Sequence, residues 1–461
     1  MNVRDKRVLV LGLGESGLAM AQWLDRKGAQ VRVADSRAEP PFAAELGRST
    51  PRAELVTGSF GAALLDGVDQ IGLSPGLSLD EPLVVAARAR GIGVFGEIEL
   101  FARALDELGL RPRCKVIAIT GTNGKTTTTA LVGAMCRAAG KLTAVAGNIS
   151  PAALAALMAC LDAGKTPDVW VLELSSFQLE TTTSLDADAA VVLNVTEDHL
   201  DRYVGMDEYA AAKARVFEGR GTQVLNREDA RVLAMARPAR PHVSFGLDVP
   251  PGAADLGLSD GWLVEGARLL LRREDLALAG LHNTANALAA LALYRTLGLP
   301  VGPALETLRS FAGLPHRVEK IAEIDRVIFY DDSKGTNVGA TVAALAGLGR
   351  KVVLIAGGDG KGQDFTPLGP ALAAHGRALV LIGRDATRIE SAVAGHGVSV
   401  AHAQDMEQAV RKAAVAARAG DAVLLSPACA SFDMFRNYEH RAEVFAGAVR
   451  QMAASRQREA S

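Results

Sequence analysis

The stretch VIAITGTNGKTTTT, running from Val116 to Thr129, decides how this chain folds. A continuous apolar run, of the kind covered on both faces in a parallel sheet, passes into a Gly-rich turn and then into a helical run. Gly121, Gly124, Lys125 and Thr126 match the end of a phosphate-binding P-loop, although the full G-x-x-x-x-G-K-[ST] pattern would need glycine where Ile119 stands. The residue types suit the chemistry. Glycines let backbone N–H groups approach phosphate, the helix N-terminus adds its positive dipole, Lys125 neutralises charge, and the Thr126 hydroxyl can ligate Mg²⁺. This reading places ATP on Gly121, Thr122, Asn123, Gly124, Lys125, Thr126 and Thr127.

Outward from that stretch, apolar β-rich runs alternate with helical ones almost throughout, which predicts an α/β chain built on parallel sheets. Expected strands include Val8 to Leu11, Val31 to Ala34, Val169 to Leu172, Ala189 to Leu193, Val352 to Ile355, Ala378 to Ile382 and Ala422 to Leu425. At 461 residues the chain has room for about three domains. Junctions are expected at LGLRPR (Leu108 to Arg113) and FAGLP (Phe311 to Pro315), the second after one helical stretch from Ala285 to Arg309. The resulting division is 1–109, a Rossmann-like nucleotide-binding domain; 110–313, a P-loop ATPase-type parallel sheet; and 314–461, a second Rossmann-like domain. Pro238 to Arg273 reads as a small meander, and Ala453 to Ser461 as a tail that frays.

Charge restricts the partners. The chain has 50 Lys+Arg against 52 Asp+Glu, a net of −2, which excludes the broad basic field that sequence-independent nucleic-acid binding needs. The N-terminal MNVRDKRVLVLGLG has too short an apolar run for a secretory signal or a membrane span, so a cytoplasmic enzyme without membrane insertion is expected. Cys114, Cys136, Cys160 and Cys429 lack metal-ligand spacing and read as reduced thiols.

A second phosphate signal is GLGESG, with Gly12, Gly14 and Gly17 after a strand and Asp35 at the end of the next. By itself it fits NAD, another nucleotide or a tight turn. Further along, Glu173 ends VWVLELSSFQLE, His199 lies in NVTEDHLDRY, and Lys213 lies in YAAAKARVF. Each alone has a bland reading as a salt-bridged, packed or surface residue, and their co-occurrence after a P-loop raises them. His282, Asn283 and Asn286 (HNTAN) suit a helix cap or an adenine edge. His316 and Arg317 (LPHR) follow the second junction, where an Arg suits an interdomain ion pair or a phosphate. Three C-terminal clusters follow strands: YDDSKGTN (Asp331, Asp332, Ser333, Lys334, Thr336, Asn337), AGGDGKG (Gly357 to Lys361) and SPACASFD (Ser426 to Asp433). Ligands collect at such positions in open α/β sheets.

The shortened TGTNGKTT form, together with these clusters, resembles the Mur ligase family. Its members are ATP-dependent amide-bond-forming enzymes of peptidoglycan precursor synthesis, with folylpolyglutamate synthetase as a relative. The resemblance implies that the N-terminal domain holds a UDP-muramoyl substrate through Gly14, Glu15, Ser16, Asp35, Ser36, Arg37, Ser74, Pro75 and Gly76, with Asn148 and His199 reaching it from the middle domain. It implies two Mg²⁺ sites, on Thr126 and Glu173 and on His199, with Lys213 carried as a CO₂-derived carbamate. Asn283, Asn286, Arg317 and Asp332 join the P-loop around ATP, and Lys334 lies near the reacting groups. The C-terminal clusters resemble the D-glutamate-adding branch, with Thr336, Lys361, Ser426 and Phe432 at D-glutamate; the D-N-P-R type segment of the diaminopimelate-adding branch does not occur. The implied reactants are ATP, D-glutamate and UDP-N-acetylmuramoyl-L-alanine, joined through an acyl phosphate by Lys125, His199, Lys213 and Lys334 in a monomeric enzyme. His199 is left as either base or metal ligand. The competing readings are another amide ligase of this family or of the folylpolyglutamate type, an NAD-dependent oxidoreductase, and a non-catalytic nucleotide sensor.

Overall fold

A computed structural model describes residues 3–278 and 280–459. These residues form three sheets. The first holds β1 (Arg7–Leu11), β2 (Gln30–Asp35), β3 (Glu54–Thr57), β4 (Gln70–Leu73) and β5 (Gly93–Phe95), all parallel in the order β3-β2-β1-β4-β5. The order reverses between β1 and β4, so the Gly-rich turn and the Ser74–Gly76 loop both sit at the switch point where such sheets bind ligands. Gly17 has to be glycine: a Cβ there would lie 1.9 Å from the Gly12 carbonyl oxygen.

The second sheet holds β6 (Lys115–Thr120), β7 (Thr143–Gly147), β8 (Val169–Glu173), β9 (Ala189–Val192), β10 (Thr222–Asn226), β11 (His242–Phe245), β12 (Leu256–Ser259), β13 (Trp262–Glu265) and β14 (Arg268–Arg272). β6 lies between β9 and β8, which brings the loops after all three strands together. β12, β13 and β14 are the expected meander, antiparallel and attached through β11. The third sheet holds β15 (Glu319–Ile324), β16 (Val327–Asp331), β17 (Val352–Gly357), β18 (Gly376–Ile382), β19 (Ser399–His402) and β20 (Ala422–Leu425). β16, β20 and β17 are neighbours in it, so the three C-terminal clusters emerge side by side from parallel strand ends.

Two expectations need correction. The stretch from Ala285 to Arg309 is not one helix but two, Leu281–Thr296 and Val301–Ser310. Gly298 takes a left-handed turn at φ 68° and Pro300 precedes the second helix, which ends one set of i to i−4 bonds and starts another. The tail expected to fray from Ala453 instead continues the helix Tyr438–Glu459; Ala460 and Ser461 lie outside the described residues. The four cysteines are free, and among the described residues no helix is long and apolar enough to cross a membrane.

Packing is unequal among the three units. A single apolar core joins the first sheet's helices to the middle unit, with Phe101 edge-on to the fully buried Trp170 at 5.0 Å. The two cores of the C-terminal unit contain no residue from before Val318. The first two units therefore share apolar burial, whereas the third keeps its own cores and meets the middle unit through polar contacts and through the packing of the helix Val338–Gly347 on the helix Leu281–Thr296. Two carboxylates reinforce the first seam at the start of the helix Ala153–Asp162. Glu15 accepts from Ser150 Oγ and from the Ala152 N–H, and Glu97 accepts from the Leu154 N–H. The carboxylate of Glu15, a residue expected at the UDP substrate, lies at this seam.

Glu97 is 1% exposed, and burial pushes its pKa from 4.5 up to about 7. Its folded form binds a proton more tightly than the unfolded chain, so the stability it supports is complete below about pH 4.5 and fades as pH rises through 7. Glu97→Gln should flatten that slope and raise stability at pH 8 relative to wild type, by an amount on the order of 3 kcal/mol or less. Urea midpoints at pH 5 and pH 8 would reveal this; an identical pH slope in the two proteins would sink it.

Candidate active site

The P-loop turns on two glycines. Gly121 sits at φ 148°, with Leu193 so close that a Cβ would be 2.9 Å from it; Gly124 is left-handed at φ 83°, and its Cβ would strike Asn286 Oδ1 at 2.2 Å. The loop is therefore pressed against the helix that carries Asn283 and Asn286. Lys125 opens the helix Lys125–Ala138, and its Nζ folds back to donate to the carbonyls of Gly121 (2.8 Å) and Thr122 (2.7 Å). Burial lowers its pKa, opposed by the carboxylates of Glu173 and Asp198.

A cavity of about 300 Å³ runs along this loop between the middle and C-terminal units. It is lined by Asn123, Gly124, Thr127, Asn283 and Asn286 from one side and by Arg317, Asp332 and Lys334 from the other. Arg317 reaches across to donate to Thr126 Oγ1. Asp332 is held by the Ser426 hydroxyl at 2.7 Å, and burial pushes its pKa up to about 7. Lys334 stands 3.6 Å over the Tyr438 ring, and burial brings its pKa down to about 8.

Beside the P-loop lies a group suited to hard cations. Glu173 is 2% exposed; its Oε1 accepts from Asn148 Nδ2 at 3.0 Å, while its Oε2 is buried with no partner. A buried carboxylate oxygen left unpaired is costly, and an oxygen-seeking cation such as Mg²⁺ would satisfy it. Asn148, expected at the substrate, thus also orients Glu173. His199 has φ 57° and packs its ring against Phe177 at 4.8 Å; burial lowers its pKa to about 4, leaving a neutral imidazole. Lys213 is 1% exposed, donates to the Gly121 carbonyl at 3.0 Å and lies 4.3 Å over the Tyr209 ring. Desolvation, and secondarily Lys125, pushes its pKa well below the usual lysine range.

The N-terminal set is divided. Ser74, Pro75 and Gly76 close β4 against the Gly-rich turn, where a Cβ on Gly12 would meet Ser74 Cβ at 2.9 Å. Arg202 of the middle unit braces this loop by donating to the Leu77 carbonyl at 2.7 Å. Gly14 and Ser16 border the turn, and Ser36 and Arg37 are exposed beyond β2. Asp35 is the exception. Its oxygens take the Leu13 N–H (2.7 Å), the Arg37 N–H (2.9 Å) and the Arg37 guanidinium, which holds its pKa down to about 2. Asp35 is thus already paired, unlike the free acid that a ribose diol would call for in the oxidoreductase reading.

The four residues expected at D-glutamate are also placed unevenly. Lys361, at φ 49°, extends its Nζ to within 3.4 Å of Asp198 Oδ1 in the middle unit. Thr336 is partly buried in the loop between Asp332 and the helix Val338–Gly347. Ser426 is fully buried behind Asp332, and Phe432 is 76% exposed. Sequence reading assigned no role to Asp198, Asn194 or Asn337, although all three lie inside stretches it singled out. Only the adjacency of β9 to β6, and the seating of the third unit, give them neighbours.

Three family descriptions match in chain order: a Mur ligase MurD-like N-terminal domain over residues 6–96, a Mur ligase middle domain over 119–294, and a Mur ligase glutamate ligase domain over 316–429. The chain is 58% identical over 462 residues to the UDP-N-acetylmuramoylalanine--D-glutamate ligase of Nitrosospira multiformis, covering 99% of this chain and 98% of that one. It is 59% identical over 455 residues to the protein of that name from Aromatoleum aromaticum, covering 97% of each. Among solved structures, it is similar in fold to a pseudomurein peptide ligase type C from Methanothermus fervidus (TM-score 0.61, 19% identity, 97% of this chain and 100% of that one). It is likewise similar to the MurF ligase from Thermotoga maritima in complex with ADP (TM-score 0.59, 19% identity, 98% and 96%). The P-loop, the three strand-end clusters and these matches agree: the chain belongs to the Mur ligase family.

Proposed function

We propose that this chain joins D-glutamate to UDP-N-acetylmuramoyl-L-alanine through an amide bond, breaking ATP to ADP and phosphate, in the assembly of peptidoglycan precursors. The observation that carries the reading is the cavity where the P-loop, Arg317, Asp332 and Lys334 meet. The relatives' names support the choice of amino acid. The domain limits we propose, 1–109, 110–313 and 314–461, fall between β5 and β6 and between β14 and β15.

A carboxylate is a poor electrophile at neutral pH. Lys125 and Arg317 are placed to spread negative charge while the γ-phosphoryl moves to the terminal carboxylate of the muramoyl substrate, giving an acyl phosphate with a good leaving group. Mg²⁺, held by Glu173 and Thr126 with a second ion toward His199 and a carbamylated Lys213, would supply Lewis-acid charge stabilisation. The neutral amine of D-glutamate then attacks the acyl carbon; the tetrahedral intermediate collapses to amide and phosphate, and the amine proton leaves to a nearby acceptor. With a pKa near 4, His199 is a weak proton acceptor at pH 7, and its neutral imidazole suits ligation better. Gly14, Ser16, Ser36, Arg37 and the Ser74–Gly76 loop are assigned to the UDP moiety, with Asp35 shaping the turn through Leu13 and Arg37. Lys361, Thr336, Ser426 and Phe432 are assigned to the amino acid, with Ser426 also holding Asp332.

Phosphate release with UDP-N-acetylmuramoyl-L-alanine, comparing D-glutamate with L-glutamate, L-alanine and diaminopimelate, tests the whole reading. D-Glutamate alone should drive release together with a new amide; release with every amino acid, or with none, rejects it. Lys361→Ala should raise the KM for D-glutamate by about 10- to 150-fold, the worth of a charged hydrogen bond, with the KM for ATP little changed. An equal loss of ATP affinity would remove Lys361 from the amino-acid site.

A further inference from the structure

The C-terminal unit meets the P-loop through a side chain whose hydrogen-bonding capacity is fully used. Asn337 is 4% exposed and caps the helix Val338–Gly347. Its Oδ1 accepts from the Ala340 N–H at 2.9 Å and from Asn123 Nδ2 at 3.2 Å. Its Nδ2 donates to Asn123 Oδ1 at 2.9 Å and to Asp198 Oδ2 at 3.5 Å. A primary amide has two donor hydrogens and two acceptor lone pairs, and all four are engaged. Asn123 is gripped from its other side as well: Asn194 Oδ1 accepts its backbone N–H at 2.8 Å, and Asn194 Nδ2 donates to its carbonyl at 3.1 Å. A row of three amides therefore runs from the end of β9, through the P-loop, into the third unit. The units approach closely at this point, since a Cβ on Gly339 would lie 3.0 Å from Thr196 Oγ1. Lys361 reaches the same Asp198.

We propose that Asn337 is a positioning residue that couples the seating of the C-terminal unit to the shape of the P-loop. The phosphates of ATP are then gripped correctly only when the amino-acid loops are in place. This inference rests on the ligase reading and adds a coupling to it. The third unit shares no apolar core with the others, so polar contacts such as these, with the packing of the helix Val338–Gly347 on the helix Leu281–Thr296, hold it in place. Linkage is reciprocal: whatever favours the seated unit at Lys361 also favours the P-loop shape at Asn123, and the reverse. Seating also excludes water, which would otherwise hydrolyse the acyl phosphate.

Asn337→Asp and Asn337→Ser separate this role from plain helix capping. Both residues cap helices well, so the helix is retained, yet neither supplies the amide's two donors. In the full chain without ligands, backbone hydrogen exchange at Gly121 to Thr126 should quicken about fivefold or more in both variants, as expected for the loss of at least the bond that Asn337 donates to Asn123. With all three substrates present, the ratio of phosphate released to amide formed should stay at about one in wild type and rise in both variants as water captures the intermediate. Unchanged exchange or an unchanged ratio in either variant overturns the proposal. A wild-type protein that makes no amide would sink the ligase reading instead, and the exchange measurement would still judge Asn337.

Discussion

Lys125→Ala is expected to abolish ATP use and ligation together, lowering kcat on the order of 10²–10³-fold or more, as removal of a group aimed at developing charge does. In the structure the ammonium donates to the carbonyls of its own loop, Gly121 and Thr122. Those two carbonyls hold it at the mouth of the helix Lys125–Ala138, where phosphate oxygens would replace them. Arg317 is the only other cation that bonds directly to the loop's helix start among the described residues, and it comes from the C-terminal unit to Thr126. It cannot substitute in both position and charge. Isothermal titration with ATP and a phosphate-release assay check the outcome; a variant that retained phosphate release within tenfold of wild type would remove Lys125 from the phosphates.

The second large effect concerns Lys213. A charged ammonium is poorly tolerated where this side chain lies: it is fully buried, its one hydrogen-bond acceptor is the Gly121 carbonyl, and Lys125 is a neighbouring cation. The amine is therefore driven toward its neutral form, the form that attacks CO₂, and the resulting carbamate would present oxygen to a hard cation near His199. Lys213→Ala should lower kcat on the order of 10²–10³-fold. Depleting dissolved CO₂ should slow the wild-type enzyme, added bicarbonate should restore it, and Lys213→Arg should respond to neither treatment. Full wild-type activity in rigorously CO₂-free buffer would sink the carbamate.

The legible and illegible parts of the site divide along physical lines. The P-loop could be read because its function is local: a strand, two glycines, a lysine and a helix start are consecutive in sequence, and backbone geometry does the rest. The end of β2 was legible as a position, while its pairing was not, because nothing in the sequence says that Arg37, two residues on, closes over Asp35. Glu15 was placed by its position in GLGESG, and no local pattern signals that its carboxylate accepts bonds from Ser150 and Ala152 of the next unit, with Ser150 lying 135 residues away in sequence. The unseen break at Gly298 to Pro300 was a local signal that the apolar run on either side of it concealed.

Residue order alone specifies a three-part α/β chain with a nucleotide-phosphate loop, and its strand-end clusters carry the marks of one family. Such features follow from residue type and spacing, which act over one strand, turn or helix. It took the folded arrangement to show which carboxylates are already paired, that Lys213 is buried beside Lys125 with Asp198 as the carboxylate acting on it, and that Asn123, Asn194 and Asn337 form one row. Those are properties of burial and of side chains meeting from distant strands, with Asn123 and Asn337 214 residues apart. Desolvation and pairing set protonation and reactivity, and both arise only when separate strand ends are brought to the same cavity.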